Sequence, residues 1–350
     1  MIRVGGSVYG IAAEVVDASG ALWTMLSAAD GTRTADQVVA HVLAAHPAEN
    51  ADAVHAALEQ FAGAGYLDDA AALDPPELTV RERERYSRSR LYFRWIDMRP
   101  GATGWEPQLA LRTARAVVLG LGGTGGTAAL ALAASGVGRL HCVDSDTVEL
   151  SNLNRQLLYC EDDIGRPKVD AAVERLRRLN SDVEVTGEHL RVRAEADLRP
   201  LVENCDVLVQ CADRPVALRV WVNRACLYSG TPWVDAGYHG PVPAAIAYLP
   251  DRGPCYECFW MGEQNKRHAV DPDMNLDTAY AVERDDGNAV TAASAGLSGH
   301  LAAHLATAVL VGVPPIEPGQ LQGVNLVAAD HHFLITHPRR LDCPTCGGLA

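Results

Sequence analysis

ARAVVLGLGGTGG, residues 114–126, is the stretch on which the fold turns. Its first half is a short apolar, β-branched run of the kind that forms a buried strand, and the glycines that follow lead into the helical pattern GTAALALAAS. Gly120, Gly122 and Gly125 match G-x-G-x-x-G between strand and helix. In that context the glycines permit a tight turn and let a phosphate approach the helix N-terminus. The motif does not say which nucleotide, and a glycine-rich packing turn is the bland alternative. Asp144 closes the next strand, GRLHCVD, about twenty residues on, where a carboxylate accepts ribose hydroxyls. An NAD-dependent oxidoreductase therefore stays open at this point.

Outward from that stretch, strands and helices alternate. RPKVDAAVERLRRLN reads as a helix, VEVTGEH and CDVLVQCAD as strands, and RPVALRVWVNRACLYS as a further helix. Such alternation predicts an α/β fold, a doubly wound Rossmann-like domain with a mostly parallel sheet over residues 101–350. Residues 262–290 are polar and poorly periodic, and VTAASAGLSGHLAAHLATAVLVG is a long helix.

The other end of the chain is different in kind. Through about residue 70 it holds two basic residues, Arg3 and Arg33, against nine acidic ones, a net of −7. SVYGIAAEVVDAS reads as short strands, and three segments of helical spacing follow, with Thr34 and Gln37 as a capping box. Strands then three helices suggest a small winged-helix domain over residues 1–75, and its acidity argues against DNA. Residues 76–100 form an expected linker or arm: its prolines break helices, and seven arginines lie among aromatics from Arg81 to Arg99.

Composition excludes several classes. The 350 residues are 48% hydrophobic and 21% charged, which argues for a globular chain rather than a disordered one. A net charge of −14 disfavours nucleic acid and anionic membranes. No uninterrupted apolar run approaches the roughly 18 residues of a membrane span, and no signal pattern opens the chain, so a cytoplasmic location is expected. Of nine cysteines, four form two C-x-x-C pairs. Cys142, Cys160, Cys205, Cys211 and Cys226 are expected to be small buried hydrophobes.

The polar run SDTVELSNLNRQ, residues 145–156, begins to separate a triphosphate site from an NAD site. Arg155 carries a donor fork suited to phosphate oxygens, and Asn152 and Gln156 can orient a phosphate or ribose without adding charge. Lys168 at a helix start supplies a second cation. Asp213 ends a strand at the sheet edge where α/β ligands bind, and can hold Mg²⁺ between phosphates.

In this order and spacing, GLGGTGG, VDSDTVELSNLNRQLLY, DIGRPK and CAD resemble the ThiF/MoeB adenylyltransferase family over about residues 85–350. The resemblance implies ATP-dependent adenylation, with Asp144 at the ribose, Arg155 and Lys168 at the phosphates and Asp213 at Mg²⁺. ERYSR resembles the family's N-terminal arm, which implies that Arg88 reaches the γ-phosphate bound by a neighbouring subunit of a homodimer. Cys255, Cys258, Cys343 and Cys346 offer four thiolates for a closed, structural Zn²⁺ site.

Two departures narrow the likeness. Arg214 and Pro215 follow Asp213 where ubiquitin-like activators carry asparagine, and residues 212–258 look most like the MccB-like peptide-adenylating enzymes. No cysteine lies between Cys258 and Cys343, the region where thioester-forming relatives keep their acceptor. The expected activity is adenylation of a carboxylate or terminal amide of a ribosomally made precursor peptide bound by the N-terminal domain. Activation of a ubiquitin-like sulfur carrier and a noncatalytic peptide-binding scaffold are the alternatives.

Overall fold

The computed structural model describes residues 1–5, 13–97, 99–250, 252–270, 289–328 and 331–348. The chain divides into two compact units, Met1–Leu109 and Ala110–Ala350.

In the first unit, β1 (Ile2–Val4) pairs antiparallel with β2 (Ala13–Val15). Residues 6–12, of which 7–12 belong to the segment expected as strands, lie outside the described residues. Helices α1 (Ala21–Ala28), α2 (Ala35–Ala45) and α3 (Ala51–Gly63) follow. The capping box forms as expected, Gln37 N–H donating to Thr34 Oγ1 at 3.3 Å and Thr34 N–H to Gln37 Oε1 at 2.9 Å. Apolar residues at helical spacing, Met25, Val38, Val42, Val54, Leu58 and Phe61, meet in one small core.

The Arg-rich stretch folds into two short helices of this unit, α4 (Val80–Arg85) and α5 (Ser87–Ile96). Several of its arginines serve the unit itself. Arg94 pairs with Asp68 and donates to the Gly65 carbonyl, Arg99 chelates the buried Asp97, and Arg90 lies over the Trp105 ring. The boundary between the units falls within α6 (Glu106–Thr113).

The second unit is built on β3 (Arg115–Leu119), α7 (Gly123–Ser135), β4 (Arg139–Asp144), α8 (Lys168–Leu179) and β5 (Glu184–His189). It continues through α9 (Arg199–Val202), β6 (Val207–Gln210), α10 (Leu218–Ser229), β7 (Trp233–His239) and β8 (Val242–Tyr248). The last elements are α11 (Tyr256–Val270), α12 (Ala292–Val311), β9 (Gln320–Val324) and β10 (His332–Thr336).

The strands form one eight-stranded sheet in the order β10-β9-β8-β7-β6-β3-β4-β5. From β5 across to β7 the pairings are parallel, and β8, β9 and β10 add an antiparallel edge. Side chains alternate across the buried strands. Val117, Leu119, Leu208 and Trp233 pack with Leu201, Leu218, Val222 and Phe259 of α9, α10 and α11 on one face. Helices α7, α8 and α12 cover the other. Helix α12 comes close to α7 because Gly299 has no Cβ, which would stand 2.5 Å from the Thr124 carbonyl oxygen. Since β3 has β4 on one side and β6 on the other, the strand order reverses there. That reversal opens a crevice at the carboxyl ends.

Three expectations need amendment. Helix α11 carries regular structure into the polar segment as far as Val270, and residues 271–288 lie outside the described residues. Among the described residues, α12 is long and apolar enough to cross a membrane despite its interrupting polar residues, but half of its apolar window is buried. Cys160 is exposed rather than buried, its thiol 3.2 Å from Asp163 Oδ2.

Candidate active site

The glycines of the β3–α7 turn do different work. Gly120 sits at φ +89°, the left-handed region, and a Cβ there would lie 2.7 Å from the Ala212 backbone nitrogen at the end of β6. A Cβ on Gly125 would fall 1.8 Å from the Gly120 carbonyl oxygen. At Gly122 the nearest atom to such a Cβ is Gln156 Nε2, 3.9 Å away, so its outer face is open. The turn is pinned by Leu121, whose N–H donates to Asp144 Oδ2 at 2.6 Å and whose carbonyl accepts from Tyr159 Oη at 3.0 Å.

Beside that open face, Gln156 is buried, and its Oε1 has no hydrogen-bond partner. An orphaned buried acceptor beside an uncrowded helix N-terminus fits a site that awaits a polar ligand. Asn152 is also buried, but its Oδ1 is engaged with the Glu149 N–H at 3.2 Å, so it shapes its own turn. Arg155, half-buried, donates from Nη1 to the Ser151 carbonyl at 2.9 Å and to Asn154 Oδ1 at 3.0 Å.

Lys168 is buried at the start of α8, and its ammonium lies 3.0 Å from Asp146 Oδ2. Asp146 also donates its N–H to Asp144 Oδ1 at 2.8 Å, so the two acids and the lysine form one chain of contacts. Asp146 stands two residues beyond Asp144 and carries no motif of its own in the sequence. Asp213 follows β6 with 76% of its side chain accessible, a hard-oxygen donor at the carboxyl edge that suits Mg²⁺.

The second unit thus brings Gly120, Gly122, Gly125, Asp144, Asn152, Arg155, Gln156, Lys168 and Asp213 onto one end of the sheet, on its turns and strand ends. Arg88 is not among them; it lies exposed on α5 of the first unit.

Two further groups have no local sequence signal. Tyr238 on β7 interacts with both Arg155 and Asp213. Burial and the Asp213 charge push its phenol up while Arg155 pulls it back, so it stays neutral at ordinary pH. On the same strand Asp235 takes the Arg219 Nε–H with both oxygens, at 3.0 and 2.9 Å. Burial pushes the Asp235 carboxyl up, Arg219 opposes it, and Asp235 in turn holds the guanidinium more firmly protonated. Both residues lie on regular elements whose meeting depends on the sheet order.

The four cysteines converge although 84 residues separate Cys258 from Cys343. All four are buried, with their sulfurs within 4.8 Å of one another. Sγ atoms of Cys255 and Cys258 are 3.9 Å apart, those of Cys255 and Cys343 3.6 Å, and those of Cys258 and Cys346 3.3 Å. Tetrahedral zinc with Zn–S bonds of about 2.3 Å needs sulfurs roughly 3.8 Å apart, so the set fits Zn²⁺ with no open position. Neighbours support it: the Arg340 N–H points to Cys258 Sγ at 3.4 Å, and Thr345 donates to Glu257, which also accepts from Asn223.

Comparison with known proteins agrees with this geometry. The model of the ThiF family matches residues 95–345. The sulfur carrier protein ThiS adenylyltransferase of Escherichia coli is 35% identical over 245 residues, covering 69% of this chain and 90% of that protein. The SAMP-activating enzyme E1 of Haloferax volcanii is 37% identical over 183 residues, which cover 52% of this chain and 64% of that enzyme. Among solved structures, E. coli MccB with ATP superposes with a TM-score of 0.74 at 23% identity, covering 99% of this chain and 95% of that one. The microcin C7 biosynthetic enzyme MccB in complex with N-formylated MccA gives 0.76 over the same shares. A Rossmann-like fold, a Gly-rich turn with an open face and a matching family model over most of the length lead to one conclusion: this chain belongs to the ThiF family and is an ATP-dependent adenylyltransferase.

Proposed function

We propose that the substrate is a ribosomally synthesised precursor peptide, and that the enzyme transfers AMP to one of its carboxylates or to its terminal amide. The observation that carries this reading is the extent of the MccB likeness, 99% of the chain, which takes in the N-terminal unit as well as the adenylation domain. In this reading residues 1–75 act as a winged-helix clamp that holds the peptide's leader, residues 76–100 as an arm, and residues 101–350 as the adenylation domain. An extended leader would add to a strand edge, and an acidic clamp favours basic residues in it.

Chemically, the peptide oxygen attacks the α-phosphorus of ATP, the bond to the bridging oxygen breaks and pyrophosphate leaves. Gly122 and the α7 N-terminus would admit the phosphates, Gln156 would supply an acceptor, and Asp144 would receive ribose hydroxyls. Arg155 and Lys168 would neutralise phosphate charge, with Asp146 orienting the lysine. Asp213 would hold Mg²⁺, whose bound charge stabilises the leaving pyrophosphate. Arg88 would complete the partner's site in a cytoplasmic homodimer. Zn²⁺ on Cys255, Cys258, Cys343 and Cys346 would be structural.

A second reading has its own support. The ThiS adenylyltransferase is more alike in sequence, 35% against 23% for MccB, so the substrate could be the C-terminal glycine of a ubiquitin-like sulfur carrier. ATP–pyrophosphate exchange by the full chain decides between them. Exchange stimulated by a leader-bearing peptide encoded beside the gene, with mass spectrometry finding AMP added or water lost, supports the peptide reading. Exchange stimulated only by a carrier protein ending in glycine overturns it.

A further inference from the structure

The Arg219 guanidinium stands between two carboxylates and is shared unequally. Its Nε–H is taken by both oxygens of Asp235, at 3.0 and 2.9 Å, while its Nη2 remains 3.9 Å from Oδ1 of Asp213. Exposure runs the opposite way, with 15% of the Asp235 side chain accessible against 76% of Asp213. Arg219 and Asp235 thus form a neutral, largely sunken pair, and Asp213 is left with its charge toward solvent.

Coulomb's law makes that partition consequential. An uncommitted guanidinium about 4 Å from a carboxylate opposes the binding of any cation there, and its own attraction to that carboxylate draws it closer. A guanidinium whose charge is already balanced by a nearer carboxylate, as Arg219 is by Asp235 through its Nε–H, does less of both. Among the described residues, Tyr238 and Cys211, which also feel Asp213, are neutral, Asp235 adds a like charge, and Arg219 stands within ion-pair distance of Asp213 at 3.9 Å.

We infer that Asp235 is a positioning residue for the cation site: by claiming Arg219 it keeps the guanidinium from closing on Asp213 and preserves the charge that holds a divalent ion against the triphosphate. The inference rests on the proposed role of Asp213. Asp235 touches neither nucleotide nor metal in this scheme and acts through Arg219.

The test uses the full-length protein, Mn²⁺ as the probe and a nonhydrolysable ATP analogue at saturation, with free Mn²⁺ counted by electron paramagnetic resonance. Asp235→Asn is expected to weaken Mn²⁺ about tenfold and to leave metal-free nucleotide affinity within about twofold. The double variant Arg219→Leu, Asp235→Asn is expected to recover most of the loss, because the competing cation is gone. Unchanged Mn²⁺ affinity in Asp235→Asn, or a double variant as weak as the single, overturns the inference. Should Asp235→Asn not fold, Arg219→Gln serves in its place: Mn²⁺ affinity held or tightened supports the inference, and weakened affinity overturns it. Asp213→Asn is the separate control. If it leaves Mn²⁺ binding intact, the role of Asp213 fails; if it abolishes binding while Asp235→Asn has no effect, only the inference fails.

Discussion

Two glycines three residues apart should respond oppositely to the same methyl group. At Gly125 a Cβ would stand 1.8 Å from the Gly120 carbonyl oxygen and 3.1 Å from Cys211 Cβ, and neither neighbour is the loose end of a side chain. Real contacts of this kind stay beyond 3.0 Å, so the turn would have to move by more than an ångström. Overpacking on that scale costs about 1–3 kcal/mol, which for a unit of this size lowers its unfolding midpoint by roughly 2–12 °C. At Gly122 the nearest atom is 3.9 Å away and the backbone, φ −71°, is one alanine can adopt. Gly122→Ala should therefore fold as well as the parent, or gain up to about 1 kcal/mol from a less flexible unfolded chain. Its methyl would occupy the open face, and ATP should bind at least about tenfold more weakly. Differential scanning fluorimetry and isothermal titration calorimetry on both variants give the answer. A Gly122→Ala protein that binds ATP normally, or a Gly125→Ala protein as stable as the parent, would refute the division of labour drawn here.

The tetracysteine cluster should bring one zinc per chain by elemental analysis, and chelation or Cys343→Ser should cost about several kcal/mol of folding free energy, read as a lower thermal midpoint. Burial pushes the Cys346 thiol up to about 11, so zinc must displace protons, and its apparent affinity, measured by chelator competition, should rise from about pH 6 to about pH 8. Acid should loosen the fold through carboxylates held low in the native state. The Arg99 hydrogen bond holds Asp97 below its usual 3.8, and Arg115 does the same for Asp206 against the opposing effect of burial. A lowered native value gives stability that is complete above the unfolded pKa and lost as pH falls through the folded one. Resistance to denaturant should therefore fall below about pH 4, and less steeply in Asp97→Asn.

Much of the second unit could be read from local pattern, because a buried parallel strand declares itself as a short apolar run and its crossover helix by period. The antiparallel edge could not. Strand β9, QLQGV, is half-exposed throughout, and β10, HFLIT, alternates only weakly, so neither differs much from a loop until β8 supplies a partner. The long polar segment misled for a related reason: α11 begins beside Cys255, and its helical face is set by the sheet and the cysteine cluster rather than by its own composition.

By itself, the sequence determined the Gly-rich turn, the acid closing β4, the two C-x-x-C pairs and the acidic N-terminal unit, because each depends on residue type and short spacing. Only the tertiary structure decided which acid holds Lys168, that Gly122 is the glycine with an open face, that Gln156 keeps an unanswered acceptor, and that Tyr238 and the Arg219–Asp235 pair stand beside Asp213. Those facts arise where the ends of β4, β6 and β7 and the start of α8 come together. Strand order and burial create that neighbourhood, and no stretch of neighbouring residues contains it.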